Sequence, residues 1–221
     1  MPYASPLGTG YERSGLTLKN YTSSNDQEER LMTPEWFFRV RRLAHFIYPR
    51  PRGMGAWGKQ SMIIWPWRIQ GANSICLGAD VIIQSHAWLG AIQRWGSQEF
   101  SPLINIDSHV RIGRHIVITA IEHVSIGEGC LLSEQVFISD HTHKALPGPV
   151  SPSRQPLQLE GPVTIGRHCF IGIRAVIMGG VTLGDYCIVG ANSVVTRSFP
   201  NGSIIAGSPA RLIRRQHDIA D

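Results

Sequence analysis

Hydrophobic side chains recur at every sixth position through most of the chain, and glycine follows many of them. The clearest run covers residues 163–198, where the third residue of each of six consecutive hexads is aliphatic. These residues are Ile165, Ile171, Ile177, Leu183, Val189 and Val195. The same frame returns upstream at Ile126, Leu132 and Ile138, at Ile106, Ile112 and Ile118, and more weakly at Leu77, Ile83 and Leu89.

A period of six fits neither a helix, which repeats every 3.6 residues, nor a single strand, which repeats every two. It fits short strands joined by sharp turns, with one aliphatic side chain per strand pointing inward. Glycine tolerates the backbone angles that such turns need. Three hexads close a triangular coil of about 18 residues, and stacked coils of this kind are typical of a parallel β-helix. We therefore predict an all-β domain of this type over residues 56–206.

The two ends of the chain depart from the hexad pattern. Residues 1–55 are predicted to form an arm and a short amphipathic helix, because Thr33-Pro34-Glu35 resembles a helix start and apolar residues then recur at helical spacing. The segment 34–48 either lies on a membrane surface or packs on its own core or a neighbouring subunit. Residues 207–221 are predicted to form a helical tail.

The composition limits the class of protein. A length of 221 residues fits one domain, and 17% charged residues with 23 Gly and 14 Pro indicate many turns. No apolar run is long enough to span a membrane, and the first residues lack the apolar core of a secretory signal, so we expect a cytoplasmic protein. The net charge of +5 indicates either an anionic partner or a mildly basic surface.

The four cysteines form no CxxC pair, which disfavours a zinc knuckle or a thioredoxin-type site. Cys169 and Cys187 occupy the same hexad position in successive coils and are predicted to lie one above the other. A disulfide is within reach of such a pair, but buried, reduced thiols are the favoured interpretation.

Two segments interrupt the hexads, at residues 93–103 and 140–161. The second opens with Ser-Asp-His-Thr-His, which places His141 and His143 beside Asp140. Histidine can act as a general base near neutral pH, so one function of this cluster is proton transfer. A metal-binding pair and a pair of solvent-facing loop histidines are the alternatives.

The hexads, the loop after the histidine pair and the closing segment with Gly207, Pro209 and Ala210 resemble the left-handed β-helix hexapeptide-repeat acyltransferases. The resemblance is strongest to galactoside and maltose O-acetyltransferases and to relatives that modify surface polysaccharides. It is strong over residues 110–215 and extends, with weaker repeats, from Ile63. It implies a homotrimer with active sites between adjacent prisms and acetyl-CoA as the acyl donor, without a required metal.

The same resemblance implies roles for individual residues. The acceptor is expected to be a sugar hydroxyl of a bacterial surface-polysaccharide precursor, not a nucleic acid. The general base falls on His143, five positions after Ile138, or on His141 if the loop begins differently, with Asp140 orienting the imidazole. The residues implied in donor binding are Ile173 in the pantetheine channel, Ala191 at the cofactor arm, Thr196 and Arg197 at the adenine end, and Arg211 and Arg214 at the phosphates.

Some positions depart from the family pattern. Phe170 stands where relatives have Trp, and Gly113 stands near a position where sugar transacetylases often have Asn, so acceptor contacts do not carry over. Two other functions use the same fold. A γ-type carbonic anhydrase needs a His-x4-His spacing that this chain lacks, and a non-catalytic scaffold subunit would need no base.

Overall fold

Sharp turns divide residues 50–216, the part of the chain that the computed structural model describes, into short strands. The amphipathic helix predicted at 34–48 lies outside this range. Through residue 215, helical structure is limited to the 3₁₀ turns Ala72–Ser74 and Pro152–Arg154, and no helix among the described residues is long and apolar enough to span a bilayer.

The strands are β1 (Ala56–Trp57), β2 (Met62–Ile63), β3 (Trp67–Gln70), β4 (Ile75–Leu77), β5 (Ile82–Ile83), β6 (Ala87–Ala91), β7 (Arg94–Trp95), β8 (Gln98–Glu99), β9 (Leu103–Ile106), β10 (Arg111–Ile112), β11 (Val117–Ala120), β12 (His123–Ile126), β13 (Leu131–Leu132), β14 (Phe137–Ser139), β15 (His141–His143), β16 (Leu157–Leu159), β17 (Val163–Ile165), β18 (Phe170–Ile171), β19 (Val176–Ile177), β20 (Thr182–Leu183), β21 (Ile188–Val189), β22 (Val194–Val195), β23 (Ser203–Gly207) and β24 (Ala210–Arg215).

Each coil of the chain gives one strand to each of three sheets. Sheet 1 has the order β1-β4-β9-β12-β17-β20, sheet 2 β2-β5-β10-β13-β18-β21-β23-β24, and sheet 3 β3-β6-β11-β14-β19-β22. Successive coils pair in parallel, as in the register of Ile118 with Ile138 and of Ile138 with Ile177. This confirms the predicted fold, a left-handed parallel β-helix.

The aliphatic third residue of every hexad points into the prism. All fifteen of the positions named from the sequence pattern are buried, from Leu77 to Val195, and they belong to one continuous core. Because each strand is only two to six residues long, it buries little surface by itself. The coils therefore gain their stability from stacking, as expected for a repeat fold.

Replacing Ile165 by alanine is expected to lower the free energy of unfolding by about 2–5 kcal/mol, because the cavity left in the prism cannot collapse fully. Ile165 is buried on β17, whereas its neighbour Thr164 points outward. The matched variant Thr164→Ala should cost less than about 1 kcal/mol. Urea denaturation measures both variants, and equal losses would contradict the inward assignment of the hexad position.

The cysteines behave as the sequence predicted. All four are free thiols, and Cys169 and Cys187 lie in adjacent coils with Cys130 in the coil before them. The contact with the Cys130 thiol raises the pKa of Cys169 to about 12, and the contact with Cys169, together with burial, raises the pKa of Cys187. The pKa of Cys130 is lowered, since its sulfur accepts a hydrogen bond from Cys169.

The predicted helical tail is wrong as far as residue 216, beyond which the chain is not described. Residues 210–215 form β24, which turns back at Gly207 and pairs antiparallel with β23. The physical reason is the open edge of sheet 2, whose unpaired backbone groups offer hydrogen bonds to an extended segment. Gly207, with φ of 103°, permits the tight reversal before Pro209.

Candidate active site

Both interruptions of the hexads leave the prism at the same corner. Residues 93–102 follow β6 and residues 140–162 follow β14, and both segments end at the next strand of sheet 1. Each contains a short antiparallel hairpin, β7 with β8 and β15 with β16. We call this edge, between sheet 3 and sheet 1, the loop corner.

The two loops hold each other in place. The indole Nε1 of Trp95 donates to the carbonyl of Gln155 over 3.0 Å. The Gln98 side chain makes two bonds to the backbone of Leu157: its Nε2 donates to the carbonyl over 3.1 Å, and its Oε1 accepts from the N–H over 2.8 Å. Leu157 is buried in a small apolar cluster with Ile121. The longer loop is therefore fixed to the prism on one side and to the shorter loop on the other.

A buried carboxylate anchors the start of the longer loop. Asp140 is fully buried, and its oxygens accept hydrogen bonds from the backbone N–H groups of Ile121, Glu122 and His123 over 2.8 to 3.1 Å. These groups lie in the turn between β11 and β12 and at the first residue of β12. Hydrogen bonds to a charged acceptor are stronger than neutral ones, so this arrangement fixes both the loop and the carboxylate.

The imidazole of His141 lies against this carboxylate. Its Nδ1 is 2.7 Å from Oδ1 of Asp140, and its side chain is only 7% exposed. An ionised carboxylate only accepts hydrogen bonds, so the geometry assigns the ring proton to Nδ1 and the lone pair to Nε2. The Ser139 hydroxyl, which receives a hydrogen bond from Thr119, donates to the His141 carbonyl over 2.8 Å. The His141 ring is thus held in one orientation, with the Nε2 lone pair able to accept a proton.

The geometry favours His141 over His143 as the base. His143 is exposed, and its ring meets the edge of Trp95 with the centroids 4.9 Å apart and an angle of 71°. It has no carboxylate partner among the described residues. In the same range, residues 50–216, no group of three or more His, Cys, Asp or Glu side chains could hold a metal ion.

The donor residues implied by the resemblance lie mainly along another edge. Ile173 and Ala191 occupy the turns after β18 and β21, at the corner between sheet 2 and sheet 3. Arg211 and Arg214 lie on the exposed edge strand β24. Thr196 and Arg197 follow β22, where the Arg197 guanidinium lies 5.2 Å from the centre of the Phe199 ring.

One chain does not bring His141 and Ile173 together. His141 follows β14, whereas Ile173 precedes β19, the strand that pairs with β14 in parallel. The two residues therefore lie at opposite ends of the strands of sheet 3. In the register of β14 with β19, Ile173 is level with Glu134, which precedes His141 by seven residues. A site that uses both needs residues from two copies of the chain.

Comparison with known proteins agrees with the repeat. Residues 162–197 match the family model described as the hexapeptide repeat of succinyl-transferase. The chain is 43% identical over 111 residues to nodulation protein L of Rhizobium meliloti (strain 1021), covering 49% of this chain and 58% of that protein. It is 33% identical over 119 residues to WbbJ of Escherichia coli (strain K12), whose name proposes a lipopolysaccharide biosynthesis O-acetyl transferase, covering 51% and 61%.

A solved structure shares the fold over a larger part of the chain. AntD, an N-acyltransferase from Bacillus cereus in complex with dTDP and 3-hydroxybutyryl-CoA, aligns with a TM-score of 0.62 at 22% identity. The alignment covers 76% of this chain and 87% of that one. These comparisons confirm the resemblance to hexapeptide-repeat acyltransferases. The matches to the curated relatives span less than two thirds of those proteins' lengths.

Proposed function

We propose that this chain is a sugar acyltransferase that moves acetyl from acetyl-CoA to a hydroxyl group of a surface-polysaccharide precursor. The observation that carries the proposal is the Asp140–His141 pair, with 2.7 Å between Oδ1 and Nδ1. The name of WbbJ, which proposes O-acetyl transfer in lipopolysaccharide biosynthesis, supports the reaction and the acceptor class. We propose that the enzyme acts in the cytoplasm.

In the proposed mechanism, Nε2 of His141 accepts the proton of the acceptor hydroxyl, and the hydroxyl oxygen attacks the thioester carbonyl carbon. The new C–O bond forms, the C–S bond breaks, and the imidazolium returns the proton to the departing thiolate. Asp140 holds the ring and stabilises the positive charge that forms on it. General base catalysis of this kind contributes about 10² to 10⁴ in rate.

We further propose a homotrimer whose active site is shared between neighbouring copies. The outward side chains of sheets 2 and 3 form mostly apolar columns with one arginine each, whereas those of sheet 1 are mostly polar. The sheet 2 column is Met62, Ile82, Arg111, Leu131, Phe170, Ile188 and Ile204, and the sheet 3 column is Arg68, Trp88, Val117, Phe137, Val176 and Val194. Apolar outer faces of this extent are typical of interaction surfaces.

A threefold arrangement with sheet 3 toward the axis brings the two separated halves of the site together. In it, the loop corner of one copy meets the corner between sheets 2 and 3 of the next. His141 of one copy then faces Ile173 and Ala191 of its neighbour. Arg211 and Arg214 are proposed to bind the donor phosphates, for which guanidinium groups are well suited. The segment 34–48, outside the described residues, stays a prediction as a membrane or subunit contact.

Thiol release in the presence of acetyl-CoA and a set of oligosaccharides and nucleotide-linked sugars tests the function. The proposal expects release that depends on an acceptor and does not require added metal. The absence of both coenzyme A binding and turnover would favour a scaffold subunit. One zinc ion per subunit together with carbonic anhydrase activity would favour the γ-type carbonic anhydrase.

A further inference from the structure

A groove of about 390 Å³ runs along the outer face of sheet 2 at its corner with sheet 3. Its lining comes from four successive coils, from Gln84 after β5, through Arg111 and Gly113, to Glu134 and then Ile173. At about 4.8 Å between strands, it extends roughly 14 Å along the prism. The groove therefore joins the proposed donor residue Ile173 to the coils nearer the amino terminus.

The lining combines an apolar floor with polar groups at the rim. Leu131 is 48% exposed on the floor, and Gln84, Ser133 and Glu134 line the side near the turns. The Arg111 guanidinium lies 2.7 Å from a carboxylate oxygen of Asp80, so its charge is balanced. A sugar ring presents both C–H surface and hydroxyl groups, and this mixture suits it better than an extended anion or a purely apolar chain.

Glu134 is the acidic group of this groove. It lies in the turn after β13 and is exposed, and among residues 50–216 no hydrogen bond or ion pair of its carboxylate is found. A carboxylate accepts hydrogen bonds from hydroxyl groups, and such charge-assisted bonds are stronger than those between neutral groups. The position is therefore well suited to bind a polyhydroxylated ligand.

Glu134 lies at the same level along the prism axis as the proposed base, His141. Glu134 follows β13 and His141 follows β14, so both belong to the same coil. Rotation about a threefold axis parallel to the prisms keeps all copies at the same height. In the proposed trimer, Glu134 of one copy is then level with His141 of the next. Ile173 lies one coil further toward the carboxyl terminus, which leaves the part of the groove between Gln84 and Glu134 for the acceptor.

We infer that the Glu134 carboxylate binds hydroxyl groups of the acceptor sugar in this part of the groove, next to His141 of the neighbouring copy. The inference rests on the proposed function and on the shared site. Glu134 is a specificity-determining residue in this account, and it takes no part in proton transfer.

The test compares Glu134→Gln with Glu128→Gln in steady-state kinetics with whichever sugar of the acceptor set the unmodified protein acetylates. Glu128 is a matched control, since it is an exposed turn carboxylate of the same coil at the corner between sheets 1 and 2. We expect Glu134→Gln to raise the KM for the sugar by about tenfold to a hundredfold, as for the loss of a hydrogen bond to a charged group. The kcat, the KM for acetyl-CoA and the midpoint of thermal unfolding should stay unchanged, and Glu128→Gln should match the unmodified protein.

Three outcomes would overturn the inference. An unchanged sugar KM in Glu134→Gln, with transfer intact, would remove Glu134 from the acceptor subsite and leave the proposed function standing. A lower kcat together with a lower unfolding midpoint would assign it a structural role. If the unmodified protein acetylated none of the sugars, the proposed function would fail first and the inference with it.

Discussion

Replacing His141 by asparagine is expected to lower acceptor-dependent acetyl transfer by about a hundredfold to ten thousandfold, the usual contribution of a general base. The amide keeps a hydrogen-bonding group near Asp140 but cannot take up a proton at Nε2. Nδ1 of His141 lies 2.7 Å from Oδ1 of that carboxylate, and the His141 side chain is 7% exposed. Initial rates of thiol release at saturating acetyl-CoA measure the loss.

The matched variant His143→Asn should change the rate by no more than about threefold, since its ring is exposed and contacts only Trp95 among the described residues. Circular dichroism and the thermal unfolding midpoint show whether either variant has lost its fold. A large loss in His143→Asn with little change in His141→Asn would reverse the assignment of the base and support the register counted from Ile138.

Mixing two inactive variants is expected to restore activity. His141→Asn lacks the base, and Ala191→Trp fills the turn where the donor arm is proposed to lie. Each variant alone should be nearly inactive. If the base and the donor residues come from neighbouring copies, every trimer that contains both variants has about one third of its sites intact, because only one of its three interfaces joins an intact base to an intact donor turn.

The two variants carry different affinity tags, are co-expressed, and are purified over both tags, so that only mixed assemblies are assayed. Activity near a third of that of the unmodified protein would support a shared site. A mixture as inactive as its components would mean that each chain carries a complete site. Since His141 and Ile173 lie at opposite ends of the strands of sheet 3, that result would require the donor to bind elsewhere.

The β-helix could be predicted from the sequence because the hexad pattern of aliphatic residues is local and repeated. Every inward position follows from one register, so residues such as Ile118 and Val189 could be assigned to the core without knowledge of distant contacts. The tail could not be assigned in this way. Nothing in the sequence of residues 210–215 favours a strand over a helix. They form a strand because β23 offers an open edge.

The candidate site was harder to predict than the β-helix, because contacts between residues far apart in the sequence position its side chains. The sequence located the loop and its acidic and basic groups, but it did not show that Asp140 bonds to the turn of the previous coil, 17 to 19 residues earlier. That bond determines which histidine is oriented. The contact of Gln98 with Leu157 joins segments 59 residues apart, and no local pattern signals it. Asp140 directly after a strand end was the one available clue.

Mass spectrometry of the acceptor, combined with a count of released thiol, tests the central claim most directly. The unmodified protein is incubated with acetyl-CoA and the sugar set, and His141→Asn serves as the control. We predict that one sugar gains a single acetyl group for each thiol released, and that the variant forms both products at least about a hundredfold more slowly. Thiol release without an acetylated sugar, or equal product from both proteins, would contradict the claim that His141 is the base of a sugar acetyltransferase.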